Sequence, residues 1–290
     1  MRGLSIREIV RILLPRGTQK GRLLMLAGYF DDSGTHTGAA AVVMAGLIGT
    51  DEQWDAFDKK WKALLAAPLP GKPPLTAFHL VDCENRLGQF ERYSRGAVDA
   101  ITHDFRKVIT ESGLYSTATV IDGAAWDALV FGPRRIFLGS AEQQCFIGCI
   151  DRSLAWSRAL PGDNQIALMF DRGRRTDTLE QIIELYKRRT EMYPELATIT
   201  FGKVADFTPL QAADYVATET HWYAKKWLRL KDQAKARAHF ADYMKTSAGG
   251  EGLYMDRATL AENLRRTQLI TERPDGLGFI QMPPLPPRRS

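Results

Sequence analysis

The stretch "GYFDDSGTHTGAAAVV", Gly28 to Val43, carries both the fold question and the site question. An apolar run climbs into two adjacent carboxylates, Asp31 and Asp32. A turn of small residues follows, and a second apolar run leaves it. Gly34 and Gly38 give that turn permissive backbone. The pattern predicts a strand through "RLLMLAGYF" and a second, antiparallel strand in "AAAVVMAGLIG". Carboxylates at the end of a buried strand are costly unless a metal, a partner or solvent compensates them. Neighbouring strand residues point to opposite faces, so only one of the pair can face a given site.

The flanking sequence extends this beginning. Thr50 and Gln53 have capping-box spacing, and Trp54, Phe57, Trp61, Leu64 and Leu65 then recur with helical period, interrupted by Asp58. "APLPGKPP" is a loop, because its prolines cannot continue a helix. "LTAFHLVDCENR" reads as a short strand running into a turn. A helix near 95 to 112, a strand in "GLYSTATVID" and a long helix from about 139 to 160 follow. "NQIALMFDRG" repeats the opening theme, an apolar strand ending in Asp171. Asp177 and Glu180 have capping-box spacing for a helix to about Tyr193, and "ATITFGKVADF" is another strand. Thr208 is a cap, with Pro209 at the first helical position and Gln211 at the third. A further helix covers roughly 232 to 246. An initial hairpin followed by alternating helices and strands predicts an α/β fold, one mixed sheet flanked by helices. The compact domain is expected over 25–250. A basic amphipathic extension over 1–24 precedes it, and a C-terminal extension over 251–290 ends in the proline-rich "QMPPLPPRRS".

The chain has 290 residues, 44% hydrophobic and 25% charged, which is ordinary globular composition. No apolar run approaches the ~20 residues of a membrane span. The N-terminus lacks the long apolar core and small-residue cleavage site of a secretory signal. Three cysteines argue against a disulfide scaffold and suit a reducing cytoplasm, so a cytoplasmic location is expected. Cys145 and Cys149, four apart, read as small core residues rather than a metal pair. A net charge of +5 leans toward polyanionic partners, nucleic acid foremost, with DNA or RNA left open. There is no Gly-x-x-x-x-Gly-Lys loop, no second Asp-Ser/Thr-Gly and no zinc-type Cys/His array.

Three carboxylates occupy comparable places. Asp31 and Asp171 each close an apolar strand. Asp214 lies in the first turns of a helix whose Ala212, Ala213, Val216 and Ala217 let it approach a sheet closely. Gln211, Asp214 and Thr218 fall near one face of that helix, and Asp206 precedes it. Each aspartate alone is an ordinary turn or helix residue. If they converge they repel one another, and hard cations such as Mg²⁺ or Mn²⁺ relieve that repulsion through oxygen ligands. Such a site suits phosphodiester hydrolysis.

Four segments carry a family resemblance. "YFDDSG" resembles the "DESG" opening of the domain of unknown function 3800 family, and "LTAFHLVDCENR" its central "FHxxD/E" segment. "MFDRG" is similar to its later strand-end aspartate, and "DFTPLQAADYVATE" to its closing "LQxADxxAxE" signature. The resemblance spans about 28 to 220 and implies a ribonuclease-H-like core in which strand and helix carboxylates bind catalytic metals. It implies Asp31, Asp171 and Asp214 as ligands, with His79, Asp82 or Glu84 at the central acidic position. Asp32 stands where the family usually has Glu, keeping the charge and shortening the reach.

The expected activity is metal-dependent nuclease hydrolysis, with Asp31, Asp171, Asp214, His79 and Gln211 as the catalytic set. Asp32, Asp82, Glu84 and Asp206 are further metal candidates. Arg172, Arg174 and Arg175 are either phosphate contacts or a solvated charge run. Trp222, Tyr223, Lys225, Lys226, Trp227 and Arg229 suit either strand binding or an amphipathic helix face. The alternative is a non-catalytic nucleic-acid- or protein-binding module of a mobile-element or phage-defence system.

Overall fold

The computed structural model describes residues 25–268 except 37, 174–175, 189, 231–234, 238–239, 242 and 244–248. The 1–24 extension, Arg174, Arg175, the proline-rich tail and most of the helix expected over 232–246 lie outside the described residues.

Strand β1 (Met25–Ser33) and strand β2 (Ala41–Thr50) form the expected hairpin, with Asp31 opposite Ala45 and Asp32 opposite Met44. Strand β3 (Tyr115–Asp122) pairs antiparallel on the far side of β2. Strand β4 (Gln165–Asp171) lies parallel to β1, and strand β5 (Leu196–Gly202) parallel to β4. Strand β6 (Gly250–Met255) adds to the edge beside β3, giving the order β5-β4-β1-β2-β3-β6. Strand β6 begins where the C-terminal extension was expected and continues the same sheet.

Helices cover both faces. On one side lie α1 (Asp51–Ala66), α2 (Leu80–Asn85), α3 (Arg95–Thr110) and α8 (Thr208–Leu230), around Tyr29, Trp54, Trp61, Phe78, Phe105 and Tyr215. On the other lie α4 (Gly123–Leu129), α5 (Pro133–Leu138), α6 (Ala141–Ala159), α7 (Thr176–Lys187) and α9 (Arg257–Gln268), around Phe30, Trp126, Phe146 and Phe170. The period of two sends Ala27 and Tyr29 of β1 to the α8 side and Leu26 and Phe30 to the α6 side. Every residue of β2 before Thr50 is buried, as a central strand covered on both faces requires.

Several local readings hold. Thr50 and Gln53 form the capping box, and Ser140 caps α6 in the same way. Cys145 and Cys149 are buried free thiols whose Sγ atoms reach the Val42 and Met44 carbonyls. Two local readings change. "LTAFHLVDCENR" holds no strand but the short helix α2, because His79 and Leu80 are drawn onto Asp214 rather than into a sheet edge. Thr208 is inside α8 rather than capping it, and its hydroxyl donates to Asp58 of α1.

The hairpin turn depends on Gly34, whose φ is +74°. A Cβ there would come within 2.2 Å of the Ala41 carbonyl oxygen and 2.4 Å of the His221 ring. Gly34→Ala is expected to cost at least about 1–3 kcal/mol from backbone strain alone. A thermal melt reads this as a fall of several degrees; an unchanged Tm contradicts the turn geometry.

Candidate active site

Asp31 and Asp171 end up side by side. Phe30 pairs with Phe170 in the parallel β1–β4 ladder, and the two aspartates are the next residues along each strand. By alternation both follow Tyr29 and Met169 onto the α8 side. Helix α8 packs its small residues Ala212, Ala213, Val216 and Ala217 against this face, and all four are buried. The third carboxylate, Asp214, is thereby brought over the strand ends. Asp31 is 7% exposed and Asp214 4%. Asp32 points to the opposite face. Thr35 donates its hydroxyl to Asp32 Oδ2 at 2.8 Å, closing the turn locally.

Burial and each neighbouring carboxylate make ionisation of Asp31 harder. Burial pushes its carboxyl well above the usual range, and the charges of Asp214, Asp32 and Asp171 push it the same way. The Asp32 N–H, at 2.7 Å from Asp31 Oδ1, works in the other direction. Burial also raises Asp32 and Asp171; the Thr35 hydroxyl offsets it at Asp32 and the Val204 N–H, at 2.9 Å, offsets it at Asp171. These four carboxylates therefore share one electrostatic environment.

One cation of the described residues meets them. His79 Nε2 lies 3.1 Å from Asp214 Oδ1, and Leu80 N–H donates to Asp214 Oδ2 at 3.0 Å. On its other side, His79 Nδ1 is 3.2 Å from Asp82 Oδ2, at ion-pair distance without the alignment of a hydrogen bond. The Asp214 contact, with Asp82 adding to it, raises the His79 pKa to about 9 against the opposing effect of burial. The imidazole is thus a cation at neutral pH.

The remaining expected site residues separate. Glu84 turns away into an ion network with Arg95 and Arg237. Asp206 sits exposed in the turn before α8, its N–H on the Lys203 carbonyl, apart from the cluster. Gln211 is 1% exposed and structural: its Oε1 accepts from Trp61 Nε1 and from Phe78 N–H, both at 2.9 Å. It ties α1 and the segment before His79 to α8, so it positions His79 without meeting the carboxylates. Gln211→Ala leaves two buried donors unpaired and is expected to cost about 2–4 kcal/mol in urea unfolding. A loss below 0.5 kcal/mol contradicts that role.

The amides of Leu80 and Val204 leave no mark in the sequence, since every residue but proline carries one. Thr35 was within reach of a reading, because hydroxyls three residues after an aspartate commonly close such turns.

Among the described residues no group of three or more His, Cys, Asp or Glu side chains is disposed to hold one metal ion as the side chains stand. The donor chemistry still fits a hard cation: the cluster is all carboxylate oxygen, and among the described residues His79 is the cation in contact with it. No helix of the described residues is long and apolar enough to cross a membrane. Compared with known proteins, the chain matches no family model and no curated protein.

Proposed function

We propose that the chain is a divalent-metal-dependent hydrolase of nucleic-acid phosphodiesters, built on a ribonuclease-H-like core and related to the domain of unknown function 3800 family. One observation carries this reading. Asp31 of β1 and Asp214 of α8 are buried, Asp171 of β4 is half-buried, and all three act on one another's charge at one end of the sheet, where His79 is the cation of the described residues in contact with them. The central placement of β1, with an antiparallel hairpin on one side and parallel strands on the other, supports the fold assignment. The family assignment rests on the four quoted motifs.

Asp31, Asp171 and Asp214 would hold Mg²⁺ or Mn²⁺, with Asp32 adding charge from behind, and the ion would supply Lewis-acid polarisation of the scissile phosphodiester. The chain's own contribution is positional. Leu80 N–H and His79 fix both oxygens of Asp214. His79, protonated, has its two ring nitrogens against Asp214 and Asp82, so its charge holds the Asp214 carboxylate in place. Asp82 then steadies the ring. Buried free thiols at Cys83, Cys145 and Cys149 fit a cytoplasmic setting.

The alternative, a non-catalytic nucleic-acid- or protein-binding module of a mobile-element or phage-defence system, has one observation in its favour. His79 and Leu80 already engage both oxygens of Asp214. Against it, the arginines pair with Glu84 rather than with the clustered aspartates. Purified protein incubated with single- and double-stranded DNA and RNA plus Mn²⁺ separates the two. The enzyme reading predicts cleavage by the wild type and none by the Asp31→Asn, Asp214→Asn double variant. Equal activity in both sinks it, and binding without cleavage favours the module.

A further inference from the structure

Beyond the carboxylates, α8 continues along the same end of the sheet into a second feature. Strand β3 runs in the same direction as β1 and β4, so Asp122 closes it at the end where Asp31 and Asp171 close theirs. Between that end and the last turns of α8 lies a cleft of about 730 Å³. Its lining includes Trp222, Lys225, Lys226, Arg229 and Arg237, with Asp122 as its acid.

The cations differ in how they are used. Arg237 lies 4.3 Å over the Trp222 ring and pairs with Glu84 and Glu219, so its charge is met. Lys225, Lys226 and Arg229 are exposed and have no ion-pair partner among the described residues. The aromatics divide as well. Tyr223 packs on Phe240 and Tyr254, and Trp227 on Tyr254, which makes them core of this corner. Trp222 alone of the three lines the cleft.

We propose that this cleft binds the phosphodiester backbone of a single nucleic-acid strand and leads it to the carboxylates, a proposal that rests on the nuclease reading for its direction. Three exposed cations with no ion-pair partner among the described residues, set with the one carboxylate of the lining, favour a polyanion, and an aromatic ring beside them is the combination that holds single strands. From Asp214 to Lys225 is eleven helical residues, about 16 Å at 1.5 Å rise each. A single strand, whose phosphates lie farther apart than the ~3.4 Å spacing along a duplex, covers that distance with fewer than about five phosphates. The carboxylates repel such a strand and the cleft attracts it, so binding is assigned to one end of α8 and chemistry to the other.

The test is fluorescence anisotropy of the full chain with a labelled single-stranded oligonucleotide, in EDTA, across a salt series. The cleft variant is Lys225→Ala, Lys226→Ala, Arg229→Ala. A control removes equal charge from exposed positions of α1: Lys59→Ala, Lys60→Ala, Lys62→Ala. Each phosphate contact contributes about 0.7 to the slope of log K against log salt for single strands. The cleft variant should therefore lose about 2 from that slope and bind at least tenfold more weakly, while the control follows the wild type. All substitutions are at exposed positions, and a circular dichroism melt confirms folding. The proposal is overturned if the cleft variant binds as the wild type does, if the wild type does not bind, or if polyglutamate competes as well as the oligonucleotide. Cleft-dependent binding without cleavage in Mn²⁺ keeps the cleft and removes the nuclease. Cleavage with the same KM in wild type and cleft variant does the reverse.

Discussion

Asparagine in place of Asp31 is expected to end metal-dependent cleavage and, at the same time, to stabilise the metal-free chain. The side chain is buried, and Asp214, Asp32 and Asp171 all oppose its ionisation. Its folded pKa is raised above the unfolded value, so its contribution to stability is full below about pH 3.9. That contribution is lost as pH rises through the folded value. Asparagine removes the charge, keeps the shape and keeps an oxygen for the Asp32 N–H. At pH 7 the gain should be about 0.5–2 kcal/mol, and it should shrink toward zero at pH 3.5. Activity should fall by roughly 100-fold or more, as for loss of a group that stabilises charge in the reacting complex. Calorimetric melts of both chains with and without Mn²⁺ read the trade directly. Mn²⁺ should raise the wild-type Tm by mass action and leave the variant unmoved. A variant that melts lower than the wild type at pH 7 and still cleaves would show that Asp31 is only a turn residue.

Glutamine in place of His79 has the second large effect. The wild-type imidazole has a pKa of about 9 because Asp214 and Asp82 flank it. Its unfolded value is near 6.5. The ring therefore contributes stability that is full below pH 6.5 and is lost as pH rises through 9. The ring is 41% exposed, and discounted for solvent screening the contribution is about 1 kcal/mol. The variant leaves Asp214 held by the Leu80 N–H without its imidazolium. Activity should drop 10- to 100-fold, the usual effect of removing a partner that orients a ligand. Urea unfolding between pH 6 and 10 checks the linkage. Burial raises Glu219 to about 7, so both proteins keep some slope from that group. The difference between them isolates His79. An identical pH dependence in both contradicts the ion pair with Asp214.

How much of this was legible in the sequence follows from the kind of signal each element carries. Hairpin β1–β2 and the strand ending in Asp171 were legible because burial on both faces leaves long apolar runs bounded by turn residues. Helix α1 was legible from its capping box and its aromatic period. Helix α2 was not. Its six residues are too few to show a period, and its start is fixed by Asp214, more than a hundred residues later in the chain. Strand β6 escaped because "GEGLYM" carries two glycines and pairs only on one side, with β3.

The site divides in the same way. That Asp31 and Asp32 take opposite faces follows from strand geometry. That Asp31, Asp171 and Asp214 share one environment depends on β1 and β4 being neighbours, which no local pattern states. By helical spacing Gln211 shares a face with Asp214, which groups it with the chemistry. The same position faces Trp61 and Phe78, which use both of its oxygen's bonding directions.

The central claim is that the clustered aspartates form one divalent-cation site. Electron paramagnetic resonance of free Mn²⁺, titrated with the protein near pH 7, tests it most directly. The account predicts loss of the free-ion signal at one or two ions per chain for the wild type, and full signal for the Asp31→Asn, Asp214→Asn variant. A signal undiminished by the wild-type protein, or diminished equally by both, would contradict it.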